Sequence, residues 1–253
     1  MKPSCGRLFR IVCGLGRFVE VVVVALVDYL LSCAFARKLP KPVARAHWIQ
    51  RHSRRALKIF DIRMSIAGPV PAAGLLVSNH LSYLDILVIS SIAPALFVAK
   101  REVKFWPVIG LLAQMAGTLF VDRQRRTQVA ETNNQIQAAL DSGALVVLFP
   151  EGTSSNGETV LPFKSSLFEP AMGRNHAVTI GCIQYALDEG DAASEICYWG
   201  DHTFFPHLLN VLSLRKFRVA VRFAPFIPLT ADRKELARLS RAEILKLKEA
   251  PVP

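Results

Sequence analysis

The chain has 253 residues, 51% of them hydrophobic, and a mean hydropathy of +0.30, which is high for a freely soluble protein. That length suits one sizeable α/β domain with its own core, and no Pro/Gly/Ser-rich linker or internal repeat divides it. The net charge of +11 sits almost wholly in residues 1–60, where 12 Lys/Arg face only Glu20 and Asp28, leaving +1 for the remainder. A basic excess beside the most apolar stretch suits an anionic membrane surface. A nucleic-acid partner is not expected, because no base-stacking aromatics or groove-reading motif interleave the charge. The five cysteines (5, 13, 33, 182 and 197) are scattered without metal-ligand spacing and read as free thiols.

Residues 18–36 come first, and their length is close to a bilayer span. Glu20 and Asp28 interrupt them, and each is costly near mid-membrane. Two membrane readings follow, a single spanning helix or a hydrophobic helix pair dipping into one leaflet, against the alternative of an ordinary core helix. Arg10, Arg17 and the missing small-x-small site argue against a cleaved signal peptide. Basic residues 37–58 are expected along the cytoplasmic face, with Val43, His47, Trp48, Ala56, Leu57 and Phe60 supplying an interfacial apolar side. Residues 1–60 are thus taken as membrane-anchoring hydrophobic and basic helices, and 61–253 as the catalytic domain.

After Pro71 the pattern changes. Apolar runs at 74–78, 95–99, 118–121, 144–149, 178–183 and 217–223 read as strands. Residues 83–92, 105–116 and 124–142 read as intervening helices, the last stopped by Gly143. Residues 230–249 read as a closing amphipathic helix. Alternating strands and helices predict an α/β fold with a largely parallel central sheet flanked by helices, preceded by the N-terminal membrane-associated helical element.

One strand-to-helix junction, Val77-Ser78-Asn79-His80-Leu81-Ser82-Tyr83-Leu84-Asp85, carries the chemistry. Ser82 and Asp85 form S-x-x-D, a capping-box pattern that makes Ser82 the helix cap and puts Asp85 in the first turn. His80 then lies on the loop before it. An Asp85 carboxylate reaching back to one ring nitrogen fixes the tautomer and stabilises an imidazolium, leaving the other nitrogen to take a proton from a hydroxyl. This is the base and orienting half of a triad, with the nucleophile left to the substrate. Downstream, Arg123 ends Gly117–Arg123 with a forked donor suited to phosphate. Glu151, Gly152 and Thr153 follow another strand, where Gly152 permits close backbone approach. Lys104 and Lys164 are further cations for a headgroup. The adjacent Asp201 and His202 read as solvated or core-capping loop residues rather than a second dyad.

In the order NHLSYLD, GTLFVDR, FPEGTSS, residues 70–225 resemble the 1-acyl-glycerol-3-phosphate (lysophosphatidic acid) acyltransferase family of glycerolipid acyltransferases. The resemblance implies that His80 and Asp85 are the catalytic dyad. It further implies that Arg123, with Glu151, Gly152 and Thr153 and helped by Lys104, binds the glycerol-phosphate of the acceptor. It implies a fatty acyl donor, acyl-CoA or acyl-carrier protein, no metal or other cofactor, a lysophospholipid acceptor, and attachment to membrane lipid, expected at the cytoplasmic side of a bacterial inner membrane. The expected product is phosphatidic acid. Two departures mark the chain: the fourth block, residues 178–183, carries Ile where the family has Pro, and residues 197–207 (CYWGDHTFFPH) are closer to a bacterial branch that includes lyso-ornithine lipid acyltransferases. Lyso-ornithine lipid is therefore the alternative acceptor. The rival readings are a serine hydrolase using Ser82, Ser154 or Ser155, which lacks a G-x-S-x-G elbow, and a non-catalytic lipid-binding membrane protein.

Overall fold

The computed structural model describes residues 5–36, 42–122, 126–171, 176–214, 216–226 and 232–252. Two helices lead, α1 (Cys5–Ala36) and α2 (Pro42–Ile59). Then come β1 (Ile62–Ala67), β2 (Gly74–Ser78), α3 (Leu84–Ile92), β3 (Ala95–Lys100), α4 (Ile109–Met115) and β4 (Leu119–Val121). The chain closes with α5 (Arg126–Asp141), β5 (Leu145–Leu148), β6 (Val178–Ala186), α6 (Ala192–Glu195), α7 (Phe204–Ser213), β7 (Phe217–Phe226) and α8 (Arg233–Lys248).

The seven strands form one sheet in the order β1-β7-β6-β2-β5-β3-β4. Every neighbouring pair is parallel except β6 with β7. β2 and β5 are buried along their whole length because helices cover both faces, which is why they read as unbroken apolar runs. Alternate residues divide between two cores. Leu76, Leu145 and Val147 pack with Val88 and Ile89 of α3 and Val211 of α7. Leu75, Val77, Val146 and Leu148 pack with Ile136 and Leu140 of α5 and Leu236 and Ile244 of α8.

The elements expected from sequence are present with shifted ends, α6 and α7 are additions, and so is β1. Its IRMSIA pattern is half-exposed and carries Arg63, so it lacks the continuous apolar run of the central strands. The helix expected over 105–116 is broken. A 3₁₀ turn, Arg101–Phe105, precedes α4, with Pro107 between them and Val108 at φ 61°. Pro cannot donate a helical hydrogen bond, and a β-branched residue at positive φ cannot continue a helix.

The N-terminal helices pack on the domain. α1 is about 48 Å long at 1.5 Å per residue. Its N-terminal half seats on α7 at Gly14, where a Cβ would stand only 2.4 Å from the Leu212 carbonyl oxygen. α2 lies between α1 and α3. Trp48 Nε1 donates to the Ala25 carbonyl (3.2 Å), Arg51 and His52 pair with Asp28 (2.8 and 2.9 Å), and Arg55 pairs with Glu20 (2.6 Å). The interfacial side expected on α2 is corrected here: Trp48, Ala56 and Leu57 are buried in protein, while Val43 and His47 are exposed. Their apolar spacing specified a buried face, and the protein itself supplies the cover. Among the described residues, no helix is long and apolar enough to cross a membrane. The outer face of α1 nevertheless bears an exposed stripe, Leu8, Val12, Leu15, Val19, Val23, Val27 and Leu30, spaced three or four residues apart.

Candidate active site

The site forms at the C-terminal ends of β2 and β5, adjacent strands near the centre of the sheet. β2 ends at Ser78, and Asn79 is fixed at once by β6. Its side-chain nitrogen donates to the Ile183 carbonyl (2.9 Å), and its oxygen accepts from the Ile183 N–H (2.8 Å). His80 follows on the loop and Asp85 in the first turn of α3, so the short segment between them folds back.

His80 Nδ1 donates to Asp85 Oδ2 at 2.8 Å. A carboxylate only accepts, so this bond puts the ring proton on Nδ1 and leaves Nε2 as the basic nitrogen of the neutral ring. Nε2 meets no hydrogen-bond partner among the described residues. The ring stacks on Phe149 from the end of β5, with centroids 4.3 Å apart and planes at 16°. The His80 side chain keeps 21% of its surface exposed, whereas Asp85 has none.

Asp85 is a buried carboxylate with four donors. Oδ2 also accepts the Leu81 and Ser82 N–H groups at 2.7 and 3.1 Å, and Oδ1 accepts the Tyr185 hydroxyl at 2.7 Å. The expected capping box is half formed. Asp85 reaches back to the Ser82 N–H, but Ser82 does not cap: its buried Oγ has no partner, and Tyr83 precedes the helix in a helical conformation. Asp85 N–H bonds the Ser82 carbonyl (3.0 Å), and that extra turn displaces the cap position.

Glu151 is buried, and both its oxygens are occupied. Oε1 accepts the His80 N–H (2.8 Å), and Oε2 accepts the Leu161 N–H (2.9 Å). Burial raises its pKa, opposed by those two backbone bonds. Glu151 thus holds the backbone under His80. Gly152 sits at φ 70°, a left-handed conformation that favours glycine, and turns the chain so that the Ser155 N–H reaches the His80 carbonyl (2.9 Å). Thr153 is exposed beside it. Lys104 is exposed in the 3₁₀ turn before α4. Arg123 lies outside the described residues.

A second clamp comes from residues 196–207. The Tyr198 N–H bonds the Leu81 carbonyl (2.8 Å), and Ser154 Oγ bonds the Tyr198 carbonyl. His207 Nε2 faces the Cys197 carbonyl at 3.1 Å, so it carries the proton, and Tyr83 donates its hydroxyl to His207 Nδ1 at 3.1 Å. These contacts, like those of Tyr185 and Phe149, join residues far apart in the chain. A polar-tipped Tyr within an apolar strand was the one local hint of Tyr185.

Several alternatives narrow. The N–H groups of His80, Leu81 and Ser82 are consumed by carboxylates and that of Gly152 by the Phe149 carbonyl, so they are not donors for an oxyanion. The Ser154 and Ser155 hydroxyls bond backbone carbonyls, and none of the three candidate serines bonds the His80 ring. Burial pushes the Cys182 and Cys197 thiols up to about 11 and about 12, so neither supplies a thiolate at neutral pH. Beside Tyr83, a mainly apolar cavity of about 150 Å³ opens under the N-terminal helices, lined by Phe18, Val22, Trp48, Leu87, Leu112 and Leu208 among others.

Comparison with known proteins places the chain. The family model described as Acyltransferase matches residues 61–183. A lyso-ornithine lipid O-acyltransferase of Rhizobium meliloti is 33% identical over 92% of this chain and 84% of its own length. A lyso-ornithine lipid O-acyltransferase of Brucella abortus is 36% identical over 73% of this chain and 75% of its own. A 1-acyl-sn-glycerol-3-phosphate acyltransferase of Neisseria gonorrhoeae is 33% identical over 72% of both. In fold, the chain is similar to the crystal structure of the 1-acyl-sn-glycerophosphate acyltransferase PlsC from Thermotoga maritima, at a TM-score of 0.66, 18% identity and 98% coverage of each chain.

Proposed function

The chain belongs to the acyltransferase family, and from that premise we propose that it moves a fatty acyl group from a thioester to the hydroxyl of a lysolipid with His80 as general base. The observation that carries this reading is the tautomer set by Asp85, which leaves His80 Nε2 basic, partly exposed and without a partner among the described residues. Nε2 takes the acceptor's hydroxyl proton as the oxygen attacks the thioester carbonyl carbon. The tetrahedral intermediate collapses, the C–S bond breaks, and the departing thiolate takes the proton from the imidazolium. Ester and free thiol are the products. Acyl-CoA or acyl-carrier protein is the donor, and no metal enters the reaction.

The remaining site residues divide by placement. Lys104 and Thr153 are exposed where an acceptor headgroup would approach, and Arg123 and Gly152 join them in the binding role. Glu151 serves that site by fixing the His80 backbone. The apolar cavity beside Tyr83 suits a short stretch of an acyl tail. Leu8 to Leu30 on the outer face of α1 would enter one leaflet, the apolar stripe buried among acyl chains and the adjoining basic residues at the headgroups. That attachment would put the site at the cytoplasmic side of a bacterial inner membrane.

For the acceptor, lyso-ornithine lipid is the first reading, since the relative aligned over 92% of this chain carries that activity in its name. 1-Acyl-glycerol-3-phosphate is the second, supported by the gonococcal relative and by the exposed Lys104. Purified membranes offered both lysolipids, each with acyl-CoA and with acyl-carrier protein, decide between them. New ester from one acceptor, absent in His80→Ala, is expected. Turnover retained by His80→Ala would remove the general-base role, and no ester from either acceptor would remove the lysolipid reading.

A further inference from the structure

We infer that Tyr185 is a positioning residue of the reaction, a third member behind His80 and Asp85 that holds the carboxylate in place and sets the proton affinity of the base. The inference rests on the general-base reading of His80 and extends it one residue deeper.

Asp85 is fully buried, and its two oxygens have different tasks. Oδ2 faces His80 Nδ1 and two backbone N–H groups, while among the described residues Oδ1 has one partner, the Tyr185 hydroxyl at 2.7 Å. With that bond removed, Oδ1 has no described donor. A buried carboxylate oxygen without a donor stays more basic and draws harder on the imidazolium proton.

β6 is built to carry the bond. Ile183 fixes Asn79 through its backbone on both sides, and Tyr185, two residues on and so on the same face, reaches Asp85. The ring is anchored by an edge contact with Phe217, centroids 6.0 Å apart. Burial first, and the neighbouring Asp85 next, raise the Tyr185 pKa well above its ordinary value, so the hydroxyl remains a donor throughout the working range. Tyr185 cannot itself touch an acceptor hydroxyl at Nε2, because Asp85 stands between it and the ring. It acts by orienting Oδ2 toward Nδ1 and by dispersing the carboxylate charge, which keeps the proton on the imidazole and Asp85 anionic.

The test is Tyr185→Phe, which keeps the ring and its packing and deletes only the hydroxyl. A hydrogen bond to a charged group is expected to cost about 10- to 100-fold in kcat when lost. The acidic limb of the kcat/KM profile, which reports the base of the free enzyme, moves to higher pH, with KM for the lysolipid little changed. Incorporating 3-fluorotyrosine at position 185 strengthens the donor without removing it, and the same limb then moves to lower pH. Opposite shifts with the two substitutions are the expected result. Uniform loss across pH with an unmoved limb would reduce Tyr185 to packing, and full activity in Tyr185→Phe would remove it from the reaction. If the Phe variant fails to fold, the fluorotyrosine protein decides alone: an unmoved limb overturns the inference. Failure of the dyad itself is seen separately, as turnover retained by His80→Ala.

Discussion

The loop from Asn79 to Asp85 and the helix α1 resolve opposite problems. In the loop, most polar groups in a dry environment find a protein partner. Asn79 meets Ile183, the N–H groups of His80, Leu81 and Ser82 meet Glu151 and Asp85, and the carbonyls of His80 and Leu81 meet Ser155 and Tyr198. His80 Nε2, partly exposed, is left without a partner among the described residues, as is the buried Ser82 Oγ. On α1 the polar groups that face protein are paired, Asp28 and Glu20 with α2, while apolar side chains from Leu8 to Leu30 face outward. An unsatisfied base points to a reactant, and an uncovered apolar stripe points to a surface. The contrast teaches that rigidity in this protein belongs to the chemistry and exposure to the setting.

The sharpest way to break the comparison is at Asp85. Asp85→Asn no longer selects the Nδ1–H tautomer, and by analogy with other orienting aspartates kcat should fall on the order of 10³- to 10⁴-fold, measured by acyl-transfer assay with vesicle binding retained. The stripe is next. Replacing Val19, Val23 and Val27 together with Ser removes about 1 kcal/mol of apolar transfer at each, so partition onto anionic vesicles should weaken on the order of 100-fold. Flotation reads this, and the melting temperature should hold because these side chains are exposed. Unchanged flotation would detach α1 from any membrane role.

A smaller effect is expected at Glu151→Gln. Both carboxylate oxygens accept backbone N–H groups, so the amide turns a donor toward a donor, costing about 1–3 kcal/mol of stability. Thermal melting and kcat together should show a loss in both, since the His80 backbone loosens with the fold. An unaltered kcat would separate Glu151 from the catalytic loop.

The smallest effect concerns His207, whose pKa is lowered by burial and by the nearby His202, against the bond to Cys197. Between the ordinary value of 6.5 and the depressed folded value, the unfolded chain binds more protons than the folded one. The neutral ring's contribution is therefore complete above 6.5 and lost as pH falls through the lowered value. Protonation also ends the bond that Nδ1 accepts from Tyr83. Melting temperature should decline more steeply on acidification in the native protein than in His207→Gln, and parallel curves would deny His207 this role.

Much of the site was legible because it is local. His80 and Asp85 are five residues apart at a strand-to-helix junction, so S-x-x-D and the preceding apolar run placed one on the loop and the other in the first turn. The same locality misled at Ser82, where the motif predicts a cap, but a turn ahead of α3 leaves its hydroxyl buried and unpartnered. Glu151 was visible as a residue and obscure in its bonds. It follows β5, and only the pairing of β5 with β2 brings it under His80. β1 escaped because a half-exposed strand carrying Arg63 has no apolar run, and the face of α2 was seen without its cover.

By itself the sequence determined the alternation of strands and helices, the pairing of His80 with Asp85, and the concentration of positive charge near the N-terminus. These depend on residue periodicity and on contacts within a few positions. The tertiary structure decided which nitrogen of His80 is basic, which groups hold Asp85, and which apolar face of the N-terminal helices is buried and which exposed. Each of those depends on partners supplied by distant strands and helices, 100 residues away in the case of Tyr185 and Asp85, and no local pattern encodes a neighbour that arrives only when the sheet closes.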